Sequence, residues 1–149
     1  MKLLLVCTSG GHFATMRGLE PFWSEHERVW VTDQKKDTQI LNNWQEKVYW
    51  LPYQGPRQLI PFVLNFPKII QIVERERPDV IISTGANIAV NFAIASKFFG
   101  KHFIYVESIS RSQELSLSGK LVYFLCNELY VQWPELSAKY SKAAFKGYI

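Results

Sequence analysis

The feature that most constrains this chain is the alternation of short, almost wholly apolar runs with segments of helical length. Lys2–Cys7, Arg28–Thr32, Val48–Leu51, Val80–Ser83, His102–Glu107 and Leu129–Gln132 read as strands. Runs such as Leu3-Leu4-Leu5-Val6 and Val80-Ile81-Ile82 have no polar face. Strands of that kind must be covered on both sides, as they are in parallel sheets layered between helices. Ala14–Ser24, Lys36–Glu46, Gln58–Arg77, Ile88–Phe99 and Ser118–Asn127 supply the helices, with Pro78 stopping the third and Gly100 closing the fourth. The expected fold is a single α/β domain over residues 1–149, a Rossmann-like, doubly wound parallel sheet.

At 149 residues the chain has room for one core and not for a second full domain. No linker, repeat or low-complexity tract divides it, and 48% hydrophobic with 20% charged residues is the balance of a folded protein. The net charge of +4 comes from scattered Lys and Arg with no nucleic-acid stripe, so an anionic ligand or a membrane surface is expected and nucleic acid is not. Cys7 and Cys126 each sit in an apolar run and read as buried thiols in a reducing compartment. The run Leu3 to Cys7 is too short for a signal-peptide core or a membrane span, so any membrane contact is expected from the cytoplasmic side.

Ligands in doubly wound sheets collect at the carboxyl ends of the strands. Here those ends carry Thr8–His12, Thr84–Asn87, Glu107–Arg111 and Trp133–Pro134. In Thr8-Ser9-Gly10-Gly11-His12 the paired glycines permit a tight turn, and bare backbone N–H groups at a helix start would cradle a diphosphate; a purely structural turn is the alternative. His12 at its mouth could take a proton from a sugar hydroxyl, or be a capping residue. Gly85, in Ser83-Thr84-Gly85-Ala86-Asn87, would open space for a ligand or only let the next helix pack close. Glu107 is placed for catalysis or for holding a sugar hydroxyl, with a salt bridge to Arg111 as the alternative. There is no Gly-x-Gly-x-x-Gly, Asp-x-Asp or Gly-x-Ser-x-Gly, and no metal or cofactor is expected.

Five blocks taken together, Thr8–His12, Pro78–Gly85, Tyr105–Arg111, Ser116–Lys120 and Val131–Leu136, resemble the PssD/CpsF-like family of bacterial polysaccharide-synthesis proteins. Its eukaryotic relative is the membrane-recruiting subunit of the dolichol-linked N-acetylglucosaminyltransferase. Members look like the N-terminal, acceptor half of MurG-type enzymes of the two-Rossmann GT-B fold. The resemblance implies an inverting, metal-independent hexosyltransferase split over two chains. A PssE/CpsG-like partner would bind the UDP-sugar, and this chain would bind a polyprenyl-diphosphate-linked sugar at the cytoplasmic face of the plasma membrane.

On that reading His12 and Glu107 are the candidate bases, while Ser9, Gly10, Gly11, Gly85, Asn87 and Arg111 line the acceptor or phosphate site. The rival is a noncatalytic scaffold that brings a catalytic partner to the membrane. The eukaryotic relatives begin with a membrane-spanning helix whereas this chain starts at its first strand, so peripheral attachment is expected. The uncharged run between Arg57 and Lys68 offers the contact. A core stripe of Leu59, Phe62, Val63 and Phe66 would direct Ile60 and Leu64 outward, and Pro61 and Pro67 threaten the continuity of the helix.

Overall fold

The computed structural model describes residues 1–55 and 57–149. Seven parallel strands make one sheet in the order β3-β2-β1-β4-β5-β6-β7: β1 (Lys2–Val6), β2 (Glu27–Thr32), β3 (Val48–Trp50), β4 (Val80–Ser83), β5 (His102–Val106), β6 (Glu128–Val131) and β7 (Ala143–Phe145). Helices α1 (Gly11–Gly18), α2 (Glu20–Trp23) and α3 (Ile40–Asn43) join the first three strands. Helices α4 (Leu59–Glu76), α5 (Ile88–Phe98), α6 (Leu117–Val122) and α7 (Pro134–Lys139) follow.

The two faces of the sheet carry separate cores, as the alternation of side chains along a strand requires. Leu3, Leu5, Trp30 and Ile82 pack with Phe13, Met16, Trp23 and Leu41 from α1 to α3. Leu4, Val6, Val29, Ile81, Phe103 and Leu129 pack with residues of α4 to α7. The apolar strands are thus covered on both sides at β1, and both cysteines are buried.

All six strands expected from the apolar runs are present, and the differences lie elsewhere. The helix expected over Ala14–Ser24 is two pieces broken at Leu19, with Pro21 opening the second. The one expected over Lys36–Glu46 is a single α-helical turn. β7 is a three-residue edge strand whose Ala-Ala-Phe carries no strand signal and which exists by pairing with β6. α4 runs unbroken through Pro67, which sits on the exposed side where solvent can take the hydrogen bond proline cannot make.

The stripe anticipated along α4 is out of phase. Asn65, Ile69, Ile72, Val73 and Glu76 face the sheet, and Phe62 and Phe66 are half-buried. Leu59 and Val63 instead stand outward beside Ile60 and Leu64, each between 64% and 74% exposed. The carboxyl-terminal half of the helix, which packs on the sheet, sets the phase. The amino-terminal half follows it.

Glu76 anchors that phase. Its buried carboxylate takes Lys2 Nζ of β1 at 3.1 Å and Lys47 Nζ at 2.7 Å, and accepts from the Tyr49 hydroxyl of β3. Burial opposes its ionisation, but the hydrogen bonds from Lys47, Tyr49 and Lys2 hold its pKa down to about 2, against an ordinary 4.5. A depressed folded-state pKa stabilises the fold above the unfolded value, and that contribution is lost as pH falls from 4.5 towards about 2. Glu76→Gln should therefore cost about 2 kcal/mol at neutral pH in urea unfolding. The gap from wild type should close at acid pH; a gap independent of pH would show that charge is not its source.

Candidate functional site

The strand order reverses direction between β1 and β4, so the loops that follow them diverge to opposite faces and leave a crevice above the sheet. Two hydrogen bonds span it. His12 Nδ1 lies 2.8 Å from the Thr84 carbonyl, and Thr84 Oγ1 donates to the His12 carbonyl at 2.6 Å. A carbonyl only accepts, so Nδ1 carries the proton and the neutral ring keeps its lone pair on Nε2. Gly85 lies directly under the ring. Its φ is +123°, and a Cβ there would stand 2.7 Å from His12 Cε1 and Nδ1. Ala86 follows at φ +65°, a strained conformation for a residue with a side chain.

The glycine loop differs from the open cradle expected of it. Ser9 N and Oγ donate to the Asp33 carboxylate at 2.7 and 2.8 Å, and Gly10 N donates to Asp37 at 2.7 Å. The donors of Ser9 and Gly10 are spent on carboxylates that would repel a phosphate. Gly10 is needed for its φ of +81°, and neither Gly10 nor Gly11 lines the cleft described below. Asp33 follows the end of β2, a place where a carboxylate could have been singled out from sequence.

Glu107 ends β5 and is 1% exposed. One carboxylate oxygen accepts from Ser108 N at 2.9 Å, and the other accepts from Ser116 N and Ser116 Oγ, both at 2.9 Å. Ser116 Oγ in turn accepts from Gly119 N at 2.9 Å and so caps α6. No ion pair joins Glu107 to Arg111 among the described residues. Gln132 Nε2 donates to the Glu107 carbonyl and Trp133 Nε1 to that of Ile109. Three of the sequence blocks singled out above thus meet in one hydrogen-bonded corner, with Glu107 at its centre.

A cleft of about 380 Å³ opens over these loops. Of the residues expected at the site, Ser9, His12, Asn87, Glu107 and Arg111 line it, whereas Gly10, Gly11 and Gly85 do not. Asn87 Nδ2 stands 3.5 Å from the carbonyls of Gly55 and Gln58, tying the loop after β3 to the start of α5. That loop brings Tyr53 and Arg57 into the cleft, and Ser108, Ser110 and Ser118 join them. In the sequence Arg57 stands out only as a flank of the apolar run. Its place after the carboxyl end of β3 was the signal that it belonged to the site. Neither Arg57 nor Arg111 has a carboxylate within 4.0 Å among the described residues, so the cleft presents two cations that are not held in ion pairs.

Residues 57–149 match the family described as oligosaccharide biosynthesis protein Alg14 like. UDP-N-acetylglucosamine transferase subunit ALG14 of Rattus norvegicus is 28% identical over 132 residues, covering 85% of this chain and 56% of the relative. The chain spans about half the length of the curated relatives it matches. MurG of Acinetobacter baumannii superposes with a TM-score of 0.77 at 12% identity, over 98% of this chain and 46% of MurG. The UDP-GlcNAc 2-epimerase of Neisseria meningitidis does so with 0.76 at 15% identity, over 99% and 46%. At such identities these likenesses establish the fold alone: one Rossmann-like unit matching the N-terminal half of GT-B glycosyltransferases.

The corner around Glu107 can be tested without an activity. A Cβ on Gly119 would fall 2.2 Å from Glu107 Oε2, so Gly119→Ala should cost about 1–3 kcal/mol in stability. In a Glu107→Ala background most of that cost should vanish. Additive losses in the double-mutant cycle would show that the two residues do not meet as described.

Proposed function

Since the chain belongs to the Alg14-like family of oligosaccharide biosynthesis proteins, we propose that it is the acceptor-binding, membrane-associating subunit of a two-component glycosyltransferase. The reaction passes a sugar from a UDP-sugar to a sugar carried on a polyprenyl diphosphate, with inversion and without a metal. The donor half belongs to a separate PssE/CpsG-like chain, and the setting is bacterial polysaccharide synthesis at the cytoplasmic face of the membrane. The observation that carries this reading is the composition of the cleft. It sets a histidine with a free Nε2 beside two unpaired arginines and a group of serine hydroxyls.

In this mechanism the acceptor hydroxyl attacks the anomeric carbon as the bond to UDP breaks, and UDP leaves with the bonding electrons. His12 Nε2 takes the hydroxyl proton, and the Thr84 carbonyl stabilises the imidazolium through Nδ1–H. Arg57 and Arg111 pair with the acceptor diphosphate, a role for which the Gly10 amide is no longer free. Glu107, offered by the sequence as a second base, is read here as a positioning residue because both of its oxygens already accept hydrogen bonds. Asn87 holds the loop that bears Arg57, and Gly85 leaves room for the ring of His12. Ile60 and Leu64, 74% and 69% exposed beside Arg57 and Lys68, meet the bilayer. No helix among the described residues is long and apolar enough to cross a membrane.

Copurification with the product of a neighbouring gene, followed by a transfer assay, tests the division of labour. The isolated chain should show no transfer and the pair should restore it; full turnover by the single chain would overturn the two-subunit reading. In the complex, His12→Ala should lower turnover about a hundredfold or more while leaving partner binding intact. Near-wild-type turnover of that variant would favour a noncatalytic scaffold. Separately, Ile60→Ser/Leu64→Ser should weaken sedimentation with anionic liposomes, and unchanged binding would remove these residues as anchors.

A further inference from the structure

Leu59, Leu117 and Leu121 wall the same cleft that holds Arg57 and Arg111, and they are 74%, 57% and 50% exposed. Leu59 opens α4. Leu117 and Leu121 lie one helical turn apart on α6, whose buried positions are Gly119 and Val122. These leucines therefore contribute nothing to the core. Contact with a flat bilayer would account for Ile60 and Leu64 but not for leucines lining a recess that also contains two cations. The recess is amphipathic, and it fits a ligand in which an anionic group is joined to a single apolar chain.

We propose that Leu59 on α4 and Leu117 with Leu121 on α6 form a subsite for the isoprenoid segment next to the diphosphate of the lipid-linked acceptor. The subsite rests on the reading of the cleft as an acceptor site. Its position is set by the corner already described: Ser116, one residue before Leu117, is fixed on Glu107 through both its amide and its hydroxyl. The first turn of α6 is held rigidly, and the α4 wall is joined to it through α5, whose amino end at Asn87 contacts the Gly55 and Gln58 carbonyls. The chain would leave the cleft past Leu121 towards Phe124, which is 81% exposed.

The test is calorimetric titration of the full chain, without vesicles, with geranylgeranyl diphosphate below its micellar concentration and with inorganic diphosphate. Burying even two methylene groups gives about a tenfold gain, so the prenyl ligand should bind at least about tenfold more tightly. Leu117→Ser/Leu121→Ser should bring the two affinities to within about threefold of each other, leaving that for inorganic diphosphate unchanged. Both side chains are exposed, so the variant should keep the wild-type melting temperature. Phe98→Ser, at the far end of α5, should retain the prenyl preference. Binding of inorganic diphosphate with no gain from the chain would overturn the subsite and leave the acceptor reading intact. Binding of neither ligand would remove both. A double variant that keeps the preference but loses binding to anionic liposomes would make these leucines bilayer anchors instead.

Discussion

A carboxylate withdrawn from water at the end of β5 governs the architecture of the site. Burying an ionised group is costly unless donors replace its hydration, and Glu107 obtains them from Ser108 N, Ser116 N and Ser116 Oγ. Meeting that requirement folds the 108–116 segment back on itself, caps α6 through Ser116 and demands a residue without a side chain at Gly119. Gln132 and Trp133 complete the corner from the end of β6. The cleft wall that bears Arg111, Leu117 and Leu121 is therefore positioned by one buried charge.

The opposite wall depends on the point where the winding of the sheet reverses. Here β1 and β4 are neighbours whose loops diverge, and the reciprocal pair between His12 and Thr84 joins them. The pairing selects the tautomer of His12 and leaves Nε2 available for proton transfer. Gly85 is the only kind of residue that fits beneath the ring. Asp33 and Asp37 meanwhile occupy the Ser9 and Gly10 donors of the glycine loop. Attraction for an anion consequently moves across the cleft to Arg57 and Arg111.

Helix α4 links the site to its surroundings. Its carboxyl end is held by Glu76 among Lys2, Lys47 and Tyr49, and its amino end reaches beyond the packed sheet. Four large apolar side chains are therefore exposed beside the cleft. A domain with no use for them in its core carries them at the mouth of the cleft proposed to take a lipid-linked acceptor. The same fold in UDP-GlcNAc 2-epimerases shows that the sheet alone does not specify transfer. The chemistry has to come from the loops.

The strands were legible because an apolar run without a polar face has few alternatives to a covered parallel strand, and Leu3 to Val6, Val80 to Ile82 and Phe103 to Val106 are such runs. Their order placed His12, Asn87, Glu107 and Arg111 at the carboxyl ends, where the structure puts them around one cleft. The sequence could not reveal what each group would be bonded to. Whether the Gly10 amide was free depended on Asp37, 27 positions away, and whether Glu107 was an open base depended on Ser116. The face of α4 likewise depended on packing at its far end, where Ile69, Val73 and Glu76 meet the sheet. Local pattern determines the elements because hydrophobic periodicity is a property of neighbouring residues. The state of a functional group is set by partners distant in the chain, and only the folded chain brings them within hydrogen-bonding distance.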